Sequence, residues 1–404
     1  MDKHMSSELT VYIVGDYKAG AADGLAEFSY QNVELLREEF EFQFIEFDDA
    51  KNNDYYNSEV RNGILVHRFG SKKKNILKLP VSFGLWVRNI QKNDIIFHLH
   101  HIYNIRNYLI AKILLSAGIP YLITPHDSYV YGDDYKKTKS LVKNLYRSVF
   151  VRVFDKFVLD HATVIHAITQ QCVPSLQSIT DTRIIVVENQ VKDLNLSFDL
   201  SELKHQVCFI GRISILQKGV DLGLLAFKIF QHRYRFAGNV NFTLVGPANP
   251  EAELELENIC RNLNFFPKNN VVFTGMLPEN KRQQVLSASR VYMQLSRYEG
   301  FGLSVAQALS CFKPVILSKQ IPIGDKVLKH NAGFIVKDAE EAATALEKIF
   351  SLSPDEYSEM ALNARRCYEQ EFHPAMIKPQ LIKLYKIASR STDLNLPYTI
   401  ERAN

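Results

Sequence analysis

The sequence is poor in the residues that staple or anchor a chain. Its 404 residues hold five cysteines, at 172, 208, 260, 311 and 367, far apart and with no C-x-x-C pair. That spacing excludes a disulfide framework and a cysteine-built zinc module, and it fits a reducing compartment such as the cytoplasm. Cys208 and Cys311 sit inside apolar runs and read as small core residues. No apolar run is long enough to span a bilayer. The opening "MDKHMSSELT" is polar, so no leader is expected. Charge of one sign is also scarce: a net +4 is too weak to argue for nucleic acid. No short repeat or low-complexity tract is present. At 46% apolar and 23% charged, the remainder is an ordinary globular composition long enough for two domains.

What is there alternates. Short apolar runs, "LTVYIVG" (9–15), "FQFIEF", "GILVHRF", "DIIFHLH", "PYLITPH", "ATVIHAIT" and "RIIVVEN", read as strands with amphipathic stretches between several of them. The second half repeats the pattern with "QVCFIG", "NFTLVG", "VVFTG", "RVYMQLS" and "PVILS". This predicts an α/β protein of two largely parallel sheets, joined by the polar stretch "KDLNLSFDLSELKH" (192–205). The expected domains are 1–190 and 191–372, followed by a helix and tail over 373–404. Ligands of such folds bind outside the carboxyl ends of strands.

Two segments carry chemistry. In "CFIGRISILQKGVDLGLLAF" (208–227) a strand ends at Gly211, Arg212 follows, and Lys218 precedes Gly219 and a helix. Two cations at a strand-to-helix loop suit a diphosphate, and the helix amino end adds its dipole. In "RYEGFGLSVAQALSCFKPVIL" (297–317) Glu299 runs into Gly300, Phe301 and Gly302, with Leu303 and Ser304 opening a helix and Gln307 further along it. Glycines there admit close backbone approach to a ligand, and Glu299 would accept from sugar hydroxyls.

In fixed order over about a hundred residues, Gly-Arg, Lys-Gly, two "G"-terminated strands and "EGFG" followed by Pro314-Val315 resemble the retaining nucleotide-sugar glycosyltransferases of family four. "TPHDSYV" (124–130) and "VVENQV" (186–191) follow that family more loosely. The resemblance implies the GT-B fold, two Rossmann-like α/β/α domains facing each other across a cleft. It gives Arg212, Lys218 and Glu299 catalytic roles and places His126 near the transferred sugar. Gly211, the backbone at Met276 and Leu277, and Gly300 to Ser304 would bind the donor. Gly20, Ala21 and Asp127 would border the acceptor. The family has a second Glu where this chain has Gln307. A neutral partner for the ribose hydroxyls costs on the order of 1 kcal/mol.

The implied reaction moves a hexosyl group from a UDP-sugar, or another nucleoside diphosphate sugar, to an acceptor hydroxyl with retention. No cofactor and no metal is implied. "HLHH" (98–101) lacks accompanying ligands at metal spacing. The acceptor would be a glycan or glycolipid of cell-surface polysaccharide or lipid-linked oligosaccharide synthesis. The basic stretches "SKKKNILK" (71–78) and "KKTKSLVKNLYR" (136–147) suit peripheral contact with an anionic inner-membrane face. Rival readings are a UDP-sugar epimerase on the same architecture and a non-catalytic nucleotide-sugar-binding subunit.

Overall fold

The computed structural model describes residues 9–17, 24–50, 54–72, 78–91, 93–126, 141–234, 239–265, 270–390 and 401–402. The chain divides into two compact units, residues 1–190 with 377–404 and residues 191–376.

The first unit is built on one sheet. Its strands are β1 (Thr10–Val14), β2 (Glu41–Ala50), β3 (Tyr55–Arg61), β4 (Ile64–Lys72), β5 (Ile95–His100), β6 (Tyr121–Thr124), β7 (Val164–Ala167) and β8 (Ile184–Val186), with the short strand Glu401–Arg402 beside β8. The order from that edge is β8-β7-β6-β5-β1-β2-β4-β3. Among the described strands all neighbours are parallel except β3 and β4. That edge hairpin sits within the expected largely parallel sheet, and Asn62-Gly63, both at positive φ, makes its turn. Alternation along β1 sends Tyr12 and Val14 to one face and Val11 and Ile13 to the other. Phe83, Val87, Ile110 and Leu114 of two helices cover the first face. Ile377, Leu381, Leu384 and Tyr385 of the helix Pro374–Ser389 cover the second.

A polar chain crosses this core. The Val187 carbonyl can only accept, so His166 Nε2 donates to it (2.9 Å) and His166 Nδ1 accepts from the Thr124 hydroxyl (2.9 Å). Thr124 Oγ1 then accepts from His98 Nε2 (2.7 Å), and His98 Nδ1 accepts from Tyr385 (2.9 Å). Each link uses one proton, so both imidazoles are neutral and every member is satisfied. Burial pushes His166 down to about 4 and His98 further below the usual histidine range.

The second unit has six parallel strands, β9 (Gln206–Ile210), β10 (Asn241–Val245), β11 (Val271–Phe273), β12 (Val291–Gln294), β13 (Val315–Ser318) and β14 (Gly333–Val336). β14 is a strand beyond the five predicted. The order β11-β10-β9-β12-β13-β14 is the doubly wound arrangement of dinucleotide-binding sheets. Val207, Phe209, Phe242, Met293 and Ile316 bury one face against Leu224 and Phe227 of the helix Val220–Arg233 and Leu346 of the helix Ala339–Ser351. The helix Pro354–Glu371 starts on a Ser353–Glu356 capping box. Its Arg365 holds Asp193 through two bonds (2.9 and 2.6 Å) and also donates to the Ser310 carbonyl (2.9 Å). That anchors the far end of the helix Leu303–Ser310, which opens the site below.

Candidate active site

In the second sheet the chain moves outward from β9 through β10 to β11, and outward from β12 through β13 to β14 on the other side. The loops leaving β9 and β12 therefore diverge, and the gap between them is where ligands of such sheets bind. After β9 come Gly211, Arg212, a one-turn helix Ile215–Lys218 capped by the Ser214 hydroxyl, and the helix beginning at Val220. After β12 come Glu299 and Gly300 to Gly302, then the helix Leu303–Ser310.

The topology brings Lys218 and Glu299 into contact, Nζ to Oε2 at 2.5 Å, with side chains only 15% and 12% exposed. The same Oε2 accepts from Gln294 Nε2 at 2.7 Å and lies 3.3 Å from the Ser296 hydroxyl. Three donors on one oxygen leave Oε1 to serve an incoming hydroxyl. Gln294 itself is held, since its Oε1 accepts from the Tyr292 hydroxyl at 2.6 Å and from Ser304 at 3.2 Å. Arg297 clamps the two loops together by a fork to Asp221 (2.9 and 2.6 Å) and a bond to the Ile215 carbonyl (2.7 Å). Gly219 is required there. Its φ is +60°, and a Cβ would fall 2.0 Å from the Leu295 carbonyl oxygen.

Gly302, at φ +103°, opens the helix Leu303–Ser310, and no side chain caps that start. Along the helix Leu303, Ser304 and Gln307 are the residues not fully buried, so they share the face turned to the gap. Arg212 is exposed on the β9 loop and donates to Gln217 Oε1 at 2.9 Å. Met276, exposed, and Leu277 follow β11, where the Gly275 carbonyl takes the Gly246 amide at 2.9 Å. The arrangement offers a paired ammonium and carboxylate, a second cation on the same loop and an open helix amino end, the parts needed to hold an anion beside a hydroxylated group.

Residues 192–367 match the family "Glycosyl transferases group 1". Residues 192–367, a little under half of the chain, thus carry the pattern of that family. Over 313 residues the transferase is 24% identical to an uncharacterised glycosyltransferase of Methanocaldococcus jannaschii, covering 76% of this chain and 78% of that one. It is 31% identical over 194 residues to alpha-maltose-1-phosphate synthase of Mycolicibacterium smegmatis, about half of either protein (45% and 48%). Its fold matches a protein of Anabaena solved in complex with UDP and glucose, with a TM-score of 0.69 at 16% identity over 94% of this chain and 100% of that one. The fold is GT-B, two Rossmann-like units in one chain.

In this glycosyltransferase the second unit thus gathers Gly211, Arg212, Lys218, Glu299 and Gly300 to Ser304 at one sheet edge. His126 belongs to the first unit, past β6, half-buried and at φ +48°. Its Nε2 lies 2.9 Å from His100 Nδ1. Burial, then the neighbouring imidazoles of His100 and His101, hold it well below the usual histidine range. Gly20, Ala21 and Asp127 lie outside the described residues. Sequence reasoning missed Tyr292, Gln294, Ser296 and the Arg297–Asp221 clamp. A glutamine inside the apolar run "VYMQL" was the available signal, because a buried amide must find partners for both its ends.

Proposed function

We propose that this glycosyltransferase moves a hexosyl group, such as glucosyl, from a uridine diphosphate sugar to an acceptor hydroxyl with retention and without a metal. The observation that carries the reading is the Lys218–Glu299 pair at the switch point, beside an uncapped helix start. The similar Anabaena protein, solved with UDP and glucose, supports the donor class. The bond from the anomeric carbon to the diphosphate oxygen breaks as the acceptor oxygen bonds to that carbon from the same face. The acceptor proton passes to the departing phosphate. Lys218 and the amides opening the helix stabilise the charge that develops on that phosphate, and Arg212 adds a second cation. Each charge-assisted bond is worth ~1.5–3 kcal/mol. Glu299 holds the sugar by its hydroxyls.

A panel of nucleoside diphosphates and their sugars tests the donor. UDP and UDP-glucose are expected to raise the melting temperature, and ADP and GDP to leave it unchanged. Proton NMR of the product is expected to show the donor's own anomeric configuration, with turnover persisting in chelator. Stabilisation by ADP or GDP in place of UDP would overturn the donor, and an inverted product would overturn retention.

The first unit supports a reading of the acceptor class. Residues 136–154 hold six basic and no acidic side chains. In the helical run over 141–160, Leu145, Val149 and Val153 stand in line, 67%, 52% and 53% exposed. Asp155 pins this run by accepting from the Tyr103 amide at 3.0 Å, and Arg147 lies over the Tyr103 ring at 4.3 Å. Among the described residues no helix is long and apolar enough to cross a membrane. An apolar line beside basic residues instead suits lying in the surface of an anionic bilayer, where a lipid-linked acceptor resides. The protein is expected to sediment with vesicles rich in phosphatidylglycerol and not with phosphatidylcholine alone. Leu145→Asp with Val149→Asp is expected to cut the bound fraction at least about tenfold, since burying each such side chain is worth ~1.5–3 kcal/mol. Equal sedimentation of variant and wild type would remove this helix from the proposal.

A further inference from the structure

Gln294 is 1% exposed and stands at the carboxyl end of β12, under the site. Its amide can be oriented in one way. Glu299 can only accept, so Nε2 faces it at 2.7 Å and spends its other hydrogen on Ser296 Oγ at 2.9 Å. Oε1 then takes the Tyr292 hydroxyl at 2.6 Å and the Ser304 hydroxyl at 3.2 Å. Both hydrogens and both lone pairs are used. The amide thus links the Glu299 carboxylate to the first turn of the helix Leu303–Ser310 through Ser304.

Lys218 cannot be the lasting anchor of Glu299. It is the less exposed of the two cations on the β9 loop, and a diphosphate bound at the helix start competes with Glu299 for its ammonium. Ser296 is the longest contact, at 3.3 Å. Of the three donors on Oε2, only Gln294 is both short and unable to leave, because its amide is locked from behind by Tyr292 and Ser304.

We propose that Gln294 is a positioning residue for glycosyl transfer: it keeps the Glu299 carboxylate aimed at the sugar once Lys218 turns to the diphosphate, and so governs recognition of the sugar but not of the nucleotide. This rests on the donor reading above. It predicts a split between two ligands that share one site. UDP depends on Lys218 and the helix start, whereas the UDP-sugar also needs Glu299 held in place.

The test is calorimetry with UDP and with UDP-glucose, plus initial-rate kinetics, on Gln294→Leu and Gln294→Glu. Gln294→Leu keeps the volume and loses the donor. It is expected to bind UDP within about twofold of wild type and to lower kcat/KM for UDP-glucose by roughly 10- to 100-fold, the range of one charge-assisted hydrogen bond. Gln294→Glu keeps the shape. Ionised, it repels Glu299 and transfer fails; protonated, its O–H restores the donor. Its rate is therefore expected to rise as pH falls below neutrality, an acid-shifted profile that wild type lacks and that packing alone would not produce. Should Gln294→Leu fail to fold, the pH profile of Gln294→Glu decides by itself. Equal weakening of UDP and UDP-glucose, wild-type kinetics in Gln294→Leu, or a pH profile of Gln294→Glu parallel to wild type would each overturn the inference. If wild type binds neither UDP nor UDP-glucose, the donor reading falls, and this inference with it.

Discussion

Lys218→Ala is expected to lower kcat/KM by at least about 100-fold, the range found when one preorganised donor to a developing charge is removed. The rise in melting temperature on adding UDP is expected to vanish with it. Lys218 is three-quarters or more enclosed and touches Glu299 at 2.5 Å, so its ammonium acts where water screens little. Loss of one partner from such a pair ordinarily strands a buried charge. Here the stranded group is Glu299, which retains Gln294 at 2.7 Å and Ser296 at 3.3 Å, so the fold is expected to survive. Arg212 offers the contrast. It is exposed and bonds Gln217 at 2.9 Å, and Arg212→Ala is expected to cost nearer tenfold. Melting curves with and without UDP, followed by kinetics, separate the two variants. If both respond to UDP as wild type does, the diphosphate does not sit at this loop.

Much of the scaffold was legible because a parallel strand buried on both faces reads as an unbroken apolar run closed by a turn residue. "QVCFIG" and "NFTLVG" are such runs, and both became strands of the second sheet. β14 escaped because "AGFIV" begins with small residues and follows the turn after Lys329, which hides its start. The hairpin of β3 and β4 escaped for another reason. β3 is mostly exposed, so "YYNSEVR" lacks the apolar content used to find strands, although Asn62-Gly63 advertised the turn.

The site divides along the same line. Residue types and local spacing pointed to Arg212, Lys218 and the "EGFG" turn, since a loop that binds phosphate needs cations and small residues at a strand end. Spacing could not pair Lys218 with Glu299, 81 residues apart. That contact exists because β12 returns to lie beside β9, and the order of strands is a property of the whole sheet. Tyr292 and Gln294 were hidden by their setting. Two residues apart on a strand they share a face, but among Val291, Met293 and Leu295 they read as core. The chain from Tyr385 to Val187 was hidden likewise, as its members come from five separate segments.

Lys313→Met is expected to raise the melting temperature at pH 7 and to lose that advantage near pH 10. Lys313 is 2% exposed, and its Nζ donates to the Ser287 carbonyl at 2.6 Å. No carboxylate pairs with it among the described residues. Burial pulls its ammonium down from 10.5 to about 8. A fall of that size corresponds to about 3 kcal/mol of preference for the neutral amine in the folded state. Below pH 8 folded and unfolded chains both carry the proton, so the cost of burying the charge is paid in full. Between about 8 and 10.5 the folded protein gives up the proton while the unfolded chain keeps it, and stability rises with pH. Above that window the amine is neutral in both states and the cost is gone. Methionine has nearly the same length and no charge, so at pH 7 it removes the cost and forfeits one hydrogen bond of about 1 kcal/mol. The net gain is about 2 kcal/mol at pH 7, falling to zero or below by pH 10.5. Melting of both proteins at pH 7 and pH 10 checks it. A variant destabilised equally at the two pH values would show that the ammonium is solvated or paired in solution.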